Sequence, residues 1–161
     1  MTHRDEVAVI SLNRGDPLFD QVEQLFKLQM EHLADKGMLI PMQHGGERVW
    51  RVEMERAAGR TGVVLVAVQG GEVIAFLYGL LRVLPAYLGG EKCATMPQFH
   101  VKLTHRSSGI GRMLFDEFVK WCRARNCSSI ETYVVPDDHH ALAVWKRLGF
   151  MLEHQQIRKA L

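Results

Sequence analysis

The sequence predicts a mixed α/β domain in the order β-α-α-β-β-β-α-β-α-β, and three observations carry that prediction. Ile110, Met113, Leu114, Phe118, Trp121 and Cys122 recur with the period of a buried helix face. Two apolar runs flank Gly70-Gly71, a pair suited to a tight hairpin turn. Strand-like and helix-like patterns then alternate through the second half of the chain, with a glycine turn between strand and helix at "HRSSGIGRMLF", residues 105–115.

A length of 161 residues suits one domain spanning 1–161, large enough for a sizeable core. Apolar residues at 47% and charged residues at 24% exclude a disordered chain. A net charge of +2 is too small to indicate a nucleic-acid partner, and none is expected. "MTHRDEVAVISL" carries charges where a signal peptide needs an apolar run, and no stretch is apolar for long enough to span a membrane; the expected location is cytoplasmic. Cys93, Cys122 and Cys127 are odd in number and form no CxxC pair, so they predict neither a disulfide framework nor a metal site.

Taken in order, residues 6–12 alternate as a strand, and Asp16-Pro17 reads as a helix start with an N-cap and a first-turn proline. The helix carries Leu18, Val22, Leu25, Phe26 and Leu33 on one face and stops at Gly37. "MLIPMQHGG" is a loop, and "ERVWRVEMERAAG" a second helix with Val49, Val52 and Met54 inward. Residues 63–83 form the hairpin, 84–95 a loop, and "MPQFHVKLT" a strand that feeds the glycine turn. The helix after the turn ends near Asn126. A strand at "SSIETYVV", a helix over 138–147 stopped by Gly149, and a last strand at "FMLEHQQIRKAL" complete the order, with no internal repeat.

A strand, a glycine-rich turn and a helix in succession present unpaired backbone N–H groups at the positive end of a helix dipole, which is an anion site. Gly109 and Gly111 let the backbone approach a phosphate, and Arg106 and Arg112 add positive charge. The common nucleotide loops do not match. Walker A needs Lys then Ser or Thr after its last glycine, where Arg112 and Met113 stand, and the GxGxxG fingerprint needs a glycine at Leu114. By spacing alone, a tight connection with no ligand remains open.

Arg106-Ser107-Ser108-Gly109-Ile110-Gly111 resembles the Q/R-x-x-G-x-G/A motif of the GNAT superfamily of N-acetyltransferases. "DHHALAVWKRLGF", residues 138–150, resembles that family's second signature, N-x-x-A-x-x-x-Y-x-x-x-G-F. The motif likeness covers 96–160; the N-terminal part agrees in element order. The resemblance implies the GNAT fold: a mixed, mostly antiparallel sheet of six to seven strands, splayed between strands 4 and 5 and flanked by about four helices. It also implies acetyl-CoA as cofactor, with the diphosphate on backbone N–H groups from Ser107 to Arg112. The strand edge at Phe99, His100 and Val101 would meet the pantetheine and acetyl groups, with Asp138 and Trp145 at the second signature.

Acetyl transfer to an amine needs a neutral nucleophile, a polarised thioester carbonyl and a proton for the thiolate. The resemblance implies a backbone donor near Val101 for the carbonyl. The tyrosine that commonly protonates the thiolate falls at Trp145, which is no usable acid, and the usual carboxylate falls near Gln98, which is no base. Asp138 replaces the signature's asparagine, where its charge opposes an anionic cofactor or caps a helix. His100 has the right chemistry for a base; His139, His140, Tyr133 and Tyr87 are weaker candidates.

The acceptor is expected between loops 38–47 and 84–92, whose Met38, Leu39, Ile40, Met42, Tyr87 and Leu88 disfavour a polyamine and suit a small-molecule amine or a peptide, or else seat a homodimer partner. Three function classes follow: an N-acetyltransferase, a regulatory coenzyme A-binding module with weak or no catalysis, and a nucleic-acid or protein-interaction domain. The weak net charge gives the last little support.

Overall fold

The computed structural model describes residues 6–161. The single-domain span from Met1 and part of the N-terminal charge pattern fall on residues 1–5, outside the described residues. The element order is β1 (Ala8–Ser11), α1 (Phe19–Asp35), α2 (Gly46–Ala57), β2 (Gly62–Gln69), β3 (Glu72–Val83), β4 (Lys92–Val101), α3 (Ile110–Ala124), β5 (Ser129–Thr132) and α4 (His139–Arg147). Short 3-10 turns at Ala86–Leu88 and Leu103–His105 flank β4.

The strands form one sheet in the order β1-β2-β3-β4-β5. Neighbours are antiparallel except β4 and β5, which run parallel. Both faces are covered, so β2 reads as a continuous apolar run and divides its side chains by alternation. Val63, Leu65 and Ala67 join α3 and Trp145 in one core. Val64 and Val66 join Val22, Leu25 and Phe26 of α1 and Met54 of α2 in the other. α3 lies close against the sheet because Gly79 leaves space for the Phe118 ring: a Cβ there would stand 2.0 Å from Phe118 Cε2.

A bulge in β4 determines what the sheet does next. Leu80 pairs with Thr95 and Tyr78 with Gln98, so Met96 and Pro97 together oppose Gly79. The extra residue reverses the alternation. Met96 and Phe99 contribute to the α3 side, whereas Gln98 meets Trp50 of α2. Pairing of β4 with β5 covers only Cys93–Met96 against Ser129–Thr132, closed by Thr132 Oγ1 donating to Met96 O at 2.9 Å. Beyond the bulge, β4 stays on β3 while the chain after β5 turns away, and the two strands splay apart.

Several expectations need correction. Among the described residues the sheet has five strands, not six to seven. The segment 150–161 forms no strand, and Met151 and Ile157 are exposed. α1 begins at Phe19 rather than at Asp16-Pro17: the Asp16 carboxylate accepts from Leu18 N–H in a local turn, and the first residues are held by turn bonds. β4 begins at Lys92, four residues inside the expected loop. In α2, Val49 and Val52 face solvent at 63% and 56% exposure. Met54 is buried as expected, and Trp50 and Ala57 join it on the stripe one residue round the helix from Val49. Trp50 wins that place by stacking on Phe26 at 3.8 Å with 5° between the rings.

Candidate functional site

Where β4 splays from β5, its hydrogen-bonding alternation decides which backbone groups face the gap. Lys102 N–H donates to Ile74 O at 2.9 Å, so this position and every second residue before it bond to β3. The intervening Phe99 and Val101 therefore turn their N–H and C=O groups away from β3, into the gap. Two side chains mark that edge: Gln29 Nε2 donates to Phe99 O at 3.2 Å, and Arg106 Nε donates to Val101 O at 3.1 Å. A backbone edge with two outward N–H groups is suited to an extended ligand that carries carbonyl oxygens.

The glycine turn lies at the end of the same strand. Ser107 and Gly109 have φ of +61° and +85°, which folds the backbone sharply before α3. No side chain caps α3, so its first-turn N–H groups at Ile110, Gly111 and Arg112 are left to whatever sits in the turn. Ser108 Oγ donates to His105 O and steadies the turn from within. Gly109 has open space where a Cβ would be, and its glycine answers the positive φ. Gly111 has a different reason: a Cβ there would stand 3.2 Å from Phe99 Cζ, so glycine lets the helix start sit against β4. Ile110 is buried, and Arg112 is exposed with its Nε on Asp116 at 2.8 Å.

The opposite wall comes from α4. Trp145 is buried in an aromatic group with Phe99 at 5.5 Å, Phe115 at 6.0 Å and Phe150 at 5.3 Å. It holds the two arms of the splay together by packing. Asp138 is the N-cap of α4, its Oδ1 accepting from Ala141 N–H at 3.0 Å. Its Oδ2 lies 3.3 Å from His32 Nε2 on α1. Burial raises the Asp138 carboxyl, but the Ala141 N–H, the His32 hydrogen bond and the charges of His32 and Lys36 outweigh it and leave the group below its ordinary value.

His100 is 8% exposed. Burial first, then the charges of Arg106 and His32, push its proton affinity down to about 4, so the ring is neutral near pH 7. Gln98 accepts from Trp50 Nε1 at 3.2 Å, which ties it to the α2 side. His139 and His140 are exposed, as are Tyr133 and Tyr87 at 71% and 85%. Of the residues expected at the site, Phe99, Val101, Arg106 and the turn share the open edge with Asp138 and Trp145 across from it.

Gln29 and His32 were not visible as site residues in the sequence. They sit one turn apart on α1 and link its inner face to both arms of the splay, Gln29 to β4 and His32 to α4. The available signal was polarity on an apolar stripe, since Gln29 continues the spacing of Val22 and Phe26.

Among the described residues no cluster of His, Cys, Asp and Glu could hold a metal ion, and no helix is long and apolar enough to cross a membrane.

The model of the acetyltransferase (GNAT) family matches residues 20–150. No curated protein matches the chain by sequence. Among solved structures, a transcriptional regulator from Bacillus halodurans is similar at 18% identity and a TM-score of 0.75, covering 97% of this chain and 100% of that one. AAC(6')-Iy in complex with the bisubstrate analogue CoA-S-monomethyl-acetylneamine is similar at 14% identity and a TM-score of 0.75, covering 97% and 98%. An aminoglycoside acetyltransferase from an uncultured soil metagenomic sample, in complex with sisomicin, is similar at 16% identity and a TM-score of 0.68, covering 96% and 95%. With a splayed sheet, an uncapped glycine-started helix beside it and a family match over most of its length, the chain belongs to the GNAT family of acetyltransferases, which use acetyl-CoA.

Proposed function

We propose that the protein transfers an acetyl group from acetyl-CoA to a primary amine of a small molecule or peptide, with both substrates bound together. The observation that carries this reading is the convergence of the open β4 edge at Phe99 and Val101 with the uncapped start of α3. The residues fit the cofactor. Backbone N–H groups from Ser107 to Arg112 would hold its diphosphate, with the charges of Arg106 and Arg112 beside them. The N–H groups of Phe99 and Val101 would take its carbonyl oxygens, and Trp145 with Asp138 would bound the far side of the gap.

When bound, acetyl-CoA supplies an acetyl group activated as a thioester. The Val101 N–H, already aimed into the gap, stabilises negative charge on a carbonyl oxygen without reorganising. His100 lies beside this position but is a weak proton acceptor, because its burial favours the neutral ring. The amine acceptor is supported by the sisomicin complex of the metagenomic acetyltransferase and by the acetylneamine analogue bound to AAC(6')-Iy. Leu39, Ile40, Tyr87 and Leu88, all exposed, give the acceptor side an apolar character that favours an amine with an apolar body.

Calorimetric titration with acetyl-CoA is the direct test, repeated with desulfo-coenzyme A. The expected result is a Kd on the order of micromolar (~8 kcal/mol), retained without the sulfur because the turn and strand edge read the polar parts. Absence of binding overturns the reading.

A further inference from the structure

We propose that His32, oriented by Asp138, is the base that takes the proton from the acceptor amine, and that Gln29 Oε1 receives another N–H of the same nitrogen. This rests on the acetyltransferase reading and assigns the proton acceptor that Gln98, tied to Trp50, and His100, buried and neutral, do not supply.

The first support is the order of the pair. Asp138 gives one carboxylate oxygen to Ala141 N–H and the other to His32, so a helix start holds the carboxylate and the carboxylate holds the imidazole. A carboxylate accepts hydrogen bonds, so the His32 nitrogen facing it, Nε2, carries the hydrogen and Nδ1 carries the lone pair. The His32 side chain is 31% exposed, open enough to meet a substrate.

The second support is independent of it. Gln29 is 7% exposed, and its Oε1 is, among the described residues, the one buried side-chain oxygen or nitrogen with no hydrogen-bond partner. The amide orientation is not arbitrary: the carbonyl of Phe99 only accepts, so Nε2 must face it and Oε1 must face elsewhere. A buried acceptor left without a donor costs stability unless a ligand supplies one. Phe99 is the first gap-facing residue of β4 past the bulge and its carbonyl holds Gln29 Nε2, while His32, one turn along α1, holds Asp138 at the start of α4, so the two side chains tie α1 to both sides of the gap. A primary amine has the two N–H groups these two acceptors require.

The charged groups around His32 are identifiable on each neighbouring element. Asp138 faces it from α4, and Asp137, beside Gly37, lies just before that helix. His100 lies on β4 with Arg106 near it. Lys36 follows on the helix end.

The transfer balances with one proton. A neutral amine attacks the carbonyl carbon, its nitrogen gives a proton to His32 Nδ1 as the C–N bond forms, the C–S bond breaks with its electron pair on sulfur, and the thiolate regains the proton from the ring through water. No further reactant is consumed.

The test is thiol release from saturating acetyl-CoA, with neamine, tyramine and Nα-acetyl-lysine as acceptors. His32→Gln is expected to lower kcat/KM by about 100-fold or more, with acetyl-CoA affinity by calorimetry unchanged. Asp138→Asn keeps a cap for Ala141 but removes the charge that holds the ring, and is expected to lower kcat and to weaken the 15N signature of an Nε2-protonated His32. Gln29→Met, which removes the acceptor oxygen, is expected to raise KM for the amine. Imidazole rescue of His32→Ala and the 15N signature of an Nε2-protonated ring in the wild type read the same assignment without relying on one variant. Retention of the rate in His32→Gln overturns the proposal. So does a wild type that binds acetyl-CoA yet acetylates none of the three amines, which leaves the cofactor site standing. A wild type that binds no acetyl-CoA overturns the acetyltransferase reading and this assignment together.

Discussion

Two helices begin at the mouth of the splayed sheet, and they treat their positive ends in opposite ways. α4 supplies its own anion, the Asp138 carboxylate that caps Ala141 N–H. α3 supplies none: it starts at a glycine with φ of +85° and has no side-chain cap. An isolated helix gains stability from a cap. Under the proposed function, the open start of α3 would receive an anion that the chain does not provide, whereas α4 uses its dipole internally and leaves a second carboxylate oxygen facing His32.

Making the two helix starts alike is the strongest way to break this comparison. Gly109→Asp places a carboxylate at the start of α3, with open space for its Cβ. Acetyl-CoA affinity by calorimetry is expected to fall about 100-fold, or ~2.7 kcal/mol, through repulsion of the diphosphate. Gly109→Asn, with the same positive-φ strain and no charge, is expected to lose far less. Equal losses for Asp and Asn would place the effect in the backbone and not in the anion.

The reverse experiment removes the anion from α4. Asp138→Ala is expected to cost about 1 kcal/mol of stability, seen as a Tm lowered by about 2–4 °C, while coenzyme affinity does not fall. A drop in affinity would mean that Asp138 itself holds the cofactor.

The smallest effect is expected on the exposed flank of α3. Arg112 is paired with Asp116 on the helix surface. Arg112→Ala is expected to change stability by less than about 0.5 kcal/mol. It should weaken acetyl-CoA binding less than about fivefold, an effect lost in high salt because exposed charges are screened. A larger, salt-insensitive loss would mean that the guanidinium leaves Asp116 to clamp a phosphate directly.

The sequence made some of this comparison legible and hid the rest for physical reasons. The glycine turn, the start of α4 at Asp138 and the hairpin at Gly70-Gly71 are local: each depends on backbone conformations that particular residues favour, so a short window suffices. Asp138 could be read as a cap because its partner is three residues away. Its second partner is on α1, more than a hundred positions earlier, and no spacing rule connects His32 to it. Gln29 was hidden by the opposite problem, since it occupies a core position on an apolar stripe and reads as a gap in the pattern. Trp50 displaced Val49 and Val52 from the core because ring stacking on Phe26, a tertiary contact, outweighed the simple apolar count. The expected final strand over 150–161 had only local sequence behind it, and a local pattern does not provide the edge on which a strand must pair.

The bulge at Met96 and Pro97 gives β4 a property that a list of its side chains does not convey. Because one extra residue changes which face each later residue occupies, the strand's two halves follow opposite reading frames: in the first, even numbers turn to the α3 core, and in the second, odd numbers do. The strand should therefore tolerate many conservative replacements but scarcely any change of length. The one change of length it can absorb is loss of Met96 or Pro97, which removes the bulge and restores one-to-one pairing opposite Gly79; deleting Gln98 instead would leave the composition almost untouched, yet would exchange the environments of Phe99 and His100 and scramble the far half of the strand as a frameshift scrambles a message.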